Sequence, residues 1–113
     1  MDYTYDCFLV RVVDGDTVYL DVDLGFHIRA TLDFRLAGLN CPEIDGPTRP
    51  AGLAAKTETE RLCTLGRLRA VTTKADKYRR WLVRLFVAPA TGPELCVNDE
   101  LLKGGFAVPY MVG

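Results

Sequence analysis

Serine is absent from the chain, and histidine occurs once, as His27. The first absence removes a serine-hydrolase mechanism, and the second leaves any cysteine nucleophile with little prospect of a base. His27 itself falls at the start of an expected strand, with no acid or nucleophile pattern beside it, and reads as structural. No apolar run approaches the roughly 18 residues of a membrane span. The start, MDYTYDCF, lacks a basic segment followed by an apolar stretch. No secretion signal is therefore visible, and with Met1 as the natural start the expected location is cytoplasmic. The four cysteines (Cys7, Cys41, Cys63, Cys96) contain no CxxC pair. That disfavours zinc and points to reduced thiols, three of them core hydrophobes, although spacing alone does not decide whether two are bridged. An excess of positive charge is missing too. With 14 basic and 15 acidic residues the net charge is −1, which argues against a protein that coats nucleic acid non-specifically.

What is present is an ordinary globular composition, 49% hydrophobic and 26% charged. A chain of 113 residues is expected to form a single domain spanning 1–113, a monomer by default. Ten of the 14 basic residues are arginine, whose planar fork makes two-pronged contacts with phosphate that lysine cannot. CFLVRVV (7–13) is a strand ended by the turn signal Asp14-Gly15. TVYLDVDLG alternates, placing Val18, Leu20, Val22 and Leu24 on one face. HIRATLDFRLAGL is a third, longer strand with Leu32, Phe34 and Leu36 together and Arg35 opposite. A proline-rich loop (40–50) precedes a helix over 51–65, with Ala54, Ala55, Leu62 and Leu65 as its apolar stripe. LRAVTT and WLVRLFVA are two further strands around a charged turn, and Asn98 is placed to cap a short helix ended by Gly104-Gly105. The class is α+β, mainly β. Five short strands with an inserted helix and a short C-terminal helix are compatible with an OB-type barrel.

Three segments concentrate polar chemistry at strand ends. Asp14-Gly15-Asp16 reads as a tight hairpin turn or as a cation ligand from Asp16; an EF-hand is excluded because the third acid and the closing Glu are missing. FRLAGLNCPE places Arg35 on the polar face of an apolar strand, then leaves the strand through Asn40, Cys41 and Glu43. These supply an amide oxygen, free carbonyls and a carboxylate, donors that calcium accepts, or simply a rigid loop with a solvated acid. DKYRRW (76–81) is either a solvated hairpin or a site where one arginine faces a groove, Tyr78 stacks on a base and Lys77 meets a phosphate.

The order DGDT, R-L-x-G-L-N-x-P-E, D-K-Y-x-R and VNDELLKGGFA across residues 13–107 resembles the staphylococcal nuclease (thermonuclease-like) family. The resemblance implies a five-stranded OB-fold barrel and a calcium-dependent phosphodiesterase that cleaves DNA and RNA at the bond to the 5′ oxygen. It implies that Arg35 and Arg80 hold the scissile phosphate, and that Glu43 acts as general base or orients the attacking water. It further implies that Asp16, Asn40 and the Cys41 carbonyl bind Ca²⁺, while Lys77, Tyr78 and Tyr110 contact the nucleotide. Two departures stand out: Asn40 occupies a position where the family pattern usually has Asp, and Arg79 one that is usually Gly. A non-catalytic OB-type module binding nucleic acid or a protein partner is the alternative reading. Such modules commonly lack the arginines or the glutamate, all of which are retained here.

Overall fold

The computed structural model describes residues 3–75 and 81–110. Strand β1 (Tyr3–Asp14) and strand β2 (Thr17–Asp23) form the hairpin that Asp14-Gly15 signals, with Asp14 paired to Thr17 across the two-residue turn. Val18, Leu20 and Val22 are buried, as their alternation predicts. Leu24 is exposed instead, because β2 ends at Asp23, whose carboxylate accepts the Gly25 N–H at 2.9 Å. Gly25, Phe26 and His27 then all take positive φ. Left-handed residues cannot continue a ladder, so His27 lies in an exposed turn and strand β3 runs only over Arg29–Leu36.

Strand β3 is where the barrel closes. It is antiparallel to β2 and parallel to strand β6 (Trp81–Pro89), with Arg35 facing Thr17 on one side and Leu82 on the other. Strand β5 (Gly66–Ala75) links β1 to β6. The order β3-β2-β1-β5-β6, joined back to β3, is a closed five-stranded barrel of OB type, α+β and mainly β. Phe34 and Leu36 point into it; Leu32, expected beside them, is partly exposed at an apolar depression shared with Tyr3, Leu24 and Trp81.

The third run of the sequence is longer than its strand because Ala37-Gly38 breaks it. Gly38 has φ +82°, and beyond it the two-residue strand β4 (Leu39–Asn40) pairs with β8 (Val108–Pro109) near the C-terminus. This turn swings Asn40 back toward Arg35. Helix α1 covers Arg49–Cys63, with Pro50 in its first turn. Its buried face is Gly52, Ala55, Thr59, Leu62 and Cys63. Ala54 of the expected stripe is exposed, and Leu65 lies past the helix end, packed against the core. Two small residues and a hydroxyl take that face because α1 abuts backbone there.

The short strand β7 (Leu95–Cys96) leads into helix α2 (Val97–Lys103), which ends at Gly104 and Gly105 as expected. Asn98 is not its cap. Cys96 holds that position, and Asn98, 1% exposed, turns inward. Its amide donates to the Ala37 and Val83 carbonyls, both at 3.0 Å, and its oxygen accepts the Leu85 N–H at 3.0 Å. The amide thus ties α2 to the closing strand and to the turn that follows β3. None of the helices described is long and apolar enough to cross a membrane.

All four cysteines are free, Cys7 and Cys63 fully buried and Cys41 and Cys96 half-buried. Burial pushes the Cys7, Cys41 and Cys63 thiols up to about 12, where almost no thiolate exists near neutrality. With Ellman's reagent at pH 8, these three are expected to react slowly in the folded protein and quickly in denaturant. Fast native reaction of Cys7 or Cys63 would contradict their burial.

Candidate active site

The β1–β2 turn is built to present Asp16 inward. A Cβ on Gly15 would lie 2.8 Å from both Ala55 Cβ and Cys41 Sγ, so only glycine lets α1 and the Asn40–Glu43 loop approach this closely. The buried Thr59 hydroxyl donates to the Gly15 carbonyl at 2.7 Å, fixing the turn against α1. Asp16 is consequently buried, and its main-chain oxygen accepts the Leu36 N–H at 2.9 Å. Its Oδ2 accepts the Cys41 N–H at 3.0 Å and Arg35 Nη1–H at 3.3 Å. A buried carboxylate needs such partners to offset lost hydration.

Arg35 is the centre of the cluster. Besides Asp16, its Nη2 donates to the Leu39 carbonyl at 3.1 Å and to Asn40 Oδ1. Tyr110 stands over the guanidinium, its ring centroid 5.6 Å from Cζ, and the Tyr110 N–H donates to the Gly38 carbonyl at 2.9 Å. The Ala37-Gly38 turn is thereby held from three sides, by Tyr110, by Asn98 and by the Ala37 N–H on the Val83 carbonyl at 2.9 Å. It carries Arg35 at one end and Asn40 at the other.

Glu43 lies on the exposed loop beyond Asn40 and Cys41, with its backbone clamped by the start of α1. Thr48 Oγ1–H donates to the Glu43 carbonyl at 2.7 Å, and Arg49 donates to the Ile44 carbonyl at 3.2 Å. A Cβ on Gly52 would come within 2.5 Å of the Glu43 carbonyl oxygen. Gly52→Ala must therefore displace backbone. It is expected to destabilise the protein despite the roughly 0.5–1 kcal/mol that replacing a mid-helix glycine gains in propensity. A urea midpoint at or above that of wild type would contradict this close approach of α1 to the Glu43 backbone.

Asp14 joins the acids here. Burial, followed by the charges of Asp16, Asp45 and Glu43, holds its carboxyl above the usual range. The same neighbourhood affects Cys41, which desolvation and then Asp16 keep protonated; as a thiol it is neither a nucleophile nor a soft metal ligand. Among the described residues no group of three or more His, Cys, Asp or Glu side chains converges as a metal cluster. The oxygens that do converge, from the Asp16 carboxylate and the Asn40 amide, are hard donors of the kind calcium takes.

The structure brings Asp16, Arg35, Asn40, Cys41 and Tyr110 into one cluster, with Glu43 on the adjoining loop. Lys77, Tyr78, Arg79 and Arg80 lie outside the described residues. Asp14, Gly52 and Thr59 were not singled out for a role by sequence reasoning. The available signal was small residues recurring at positions 52, 55 and 59, which mark a helix face pressed on backbone.

A family model described as staphylococcal nuclease homologue matches residues 33–112. No curated protein matches the chain. The matched span takes in Arg35, Asn40, Cys41, Glu43, Lys77, Tyr78, Arg80 and Tyr110. Asp16 precedes it, and is joined to it by the bonds to Arg35 and Cys41.

Proposed function

The chain belongs to the staphylococcal nuclease homologue family, and on that footing we propose that it is a calcium-dependent nuclease hydrolysing DNA, RNA or both at the bond to the 5′ oxygen. The observation that carries this reading is the cluster around Arg35: one guanidinium held by the Asp16 carboxylate, the Asn40 amide and the Tyr110 ring, with the Glu43 loop beside it.

Arg35 and Arg80 bind the scissile phosphate and take up the negative charge that grows on its oxygens in the transition state. Glu43 accepts a proton from the attacking water, a role its exposure suits. The water oxygen bonds to phosphorus as the bond to the 5′ oxygen breaks, and that oxygen takes a proton from solvent water and leaves as a hydroxyl. Lys77, Tyr78 and Tyr110 contact the nucleotide, Tyr110 from its seat against Arg35. Asp16, Asn40 and the Cys41 carbonyl would hold calcium, which when bound supplies positive charge to neutralise and orient the phosphate.

Purified protein incubated with single-stranded DNA or RNA is expected to degrade it in calcium and to leave it intact in chelator. Equal cutting in both would contradict the metal dependence. No cutting across a wide calcium range would favour a module that binds nucleic acid without cleaving it.

A further inference from the structure

We propose that the turn between β2 and β3 is a self-docking element: Phe26 of one copy of this chain inserts into the apolar depression of a second copy, and the second copy does the same in return. The inference stands apart from the nuclease reading and from the Arg35 cluster. Phe26 is 93% exposed, although phenylalanine is among the residues most often buried. Its backbone is left-handed, φ +57°, and so is that of His27, φ +60°, a conformation that bulky side chains rarely adopt. The turn is closed by its own bonds. Leu24 N–H donates to the Ile28 carbonyl and Ile28 N–H to the Gly25 carbonyl, both at 2.9 Å, while the Asp23 carboxylate accepts the Gly25 N–H at 2.9 Å. These bonds fix the tip with the Phe26 ring outward.

The depression is the complement of that ring. All five barrel strands contribute to it, its volume is about 290 Å³, and Tyr3, Tyr5, Leu24, Leu32 and Trp81 stand in its wall. An apolar cavity of about 150 Å³ already takes up benzene, so a phenyl ring fits. No charged side chain lines it among the described residues, which disfavours a nucleic-acid strand, since that needs a positively charged groove. An anionic membrane is disfavoured as well, because it is drawn by basic clusters. Arg29, which follows the tip, is already engaged by Asp21 at 3.1 Å and Asp23 at 3.9 Å. Leu24 belongs to the wall and lies two residues before Phe26. Projection and depression therefore adjoin, and a two-fold axis between them seats each tip in the other copy, a closed pair. Tyr3, Leu24, Phe26, Ile28, Leu32 and Trp81 are all exposed. At roughly 150–250 Å² for a covered aromatic and somewhat less for Leu or Ile, they offer on the order of 600 Å² per copy. Such a pair would bury about 1,200 Å², which reaches the range of stable, specific interfaces.

Sedimentation equilibrium of the purified protein over a wide concentration range tests this, with Trp81, the chain's single tryptophan, as an internal reporter. Wild type is expected to move from the 12.6 kDa of one chain toward twice that mass and no further. Trp81 emission should shift to the blue over the same range, as the depression is covered. Phe26→Asn removes the ring and suits the left-handed backbone, which Asn adopts more readily. It should fold at least as stably as wild type and pair at least about tenfold more weakly, as loss of a central aromatic anchor does. Leu32→Asp damages the depression instead and should weaken pairing likewise; if it fails to fold, Leu32→Thr takes its place. Mixed together, the two variants can still form one intact contact, Phe26 of the Leu32 variant in the depression of the Phe26 variant. The mixed pair should therefore outweigh either variant's own pair. A monomer at every concentration, pairing that Phe26→Asn leaves intact, growth beyond two copies, or no preference for the mixed pair would overturn the proposal. So would a Phe26-dependent blue shift on phosphatidylcholine vesicles by protein that stays monomeric without them, which would make a membrane the occupant.

Discussion

Arg35→Ala is expected to slow strand cleavage by about 10²–10³-fold, corresponding to about 2.7–4 kcal/mol of lost transition-state stabilisation. On the proposed mechanism the loss should fall mainly on kcat, because the guanidinium would act most strongly on charge that appears only as the phosphorus becomes five-coordinate. On the proposed mechanism Arg80→Ala should cost a similar amount, and Arg79→Ala far less, since the family resemblance assigns a phosphate contact to Arg80 and none to Arg79. The Arg35 variant also strips Asp16 of its ion-pair partner and leaves the Cys41 N–H on that carboxylate oxygen. Some loss of stability is therefore expected, and unfolding curves must accompany the rates. An Arg35→Ala protein that folds and cuts at the wild-type rate would remove Arg35 from the chemistry.

Asn98→Ala is expected to destabilise the fold by about 2–5 kcal/mol, more than any surface change. Truncation strands the buried Leu85 N–H and the part-buried Ala37 carbonyl, at a cost of about 1–3 kcal/mol each. The Val83 carbonyl loses less, because the Ala37 N–H also donates to it. The damage lands where the barrel closes, between β3 and β6, and at the turn joining Arg35 to Asn40. Urea titration should show a lower midpoint with little change in slope. Activity per folded molecule should fall as well, since the turn loses one of its three holds. A midpoint within error of wild type would mean that water or a neighbouring group replaces the amide.

Much of this was legible from the residues. The alternation of Val18, Leu20 and Val22, and the position of Arg35 opposite Phe34 and Leu36, follow from the two-residue period of a strand. The Asp14-Gly15 turn follows from backbone permissiveness. What was not legible depends on contacts between distant segments. Asn98 has the sequence profile of a helix cap, and only the approach of β6 and the Ala37 carbonyl draws its amide inward. Gly52 and Thr59 look like weak helix residues until the Glu43 backbone and the Gly15 carbonyl are brought against them. His27 was placed at a strand start because nothing local announces three successive left-handed residues. The arginine–acid–amide set was visible as separate hints. That Arg35 binds the oxygens of Asp16 and Asn40 requires the Gly38 turn, and no spacing rule states it.

Analysis of the product ends tests the central claim most directly. A single-stranded oligonucleotide of defined sequence, digested by the purified protein in calcium, should yield fragments with 3′-phosphate and 5′-hydroxyl ends, identified by mass. The same digestion with Arg35→Ala or Glu43→Gln should yield almost none. Fragments carrying 5′-phosphates, or wild-type cutting by both variants, would show that the phosphodiester is not opened at the Arg35–Glu43 site.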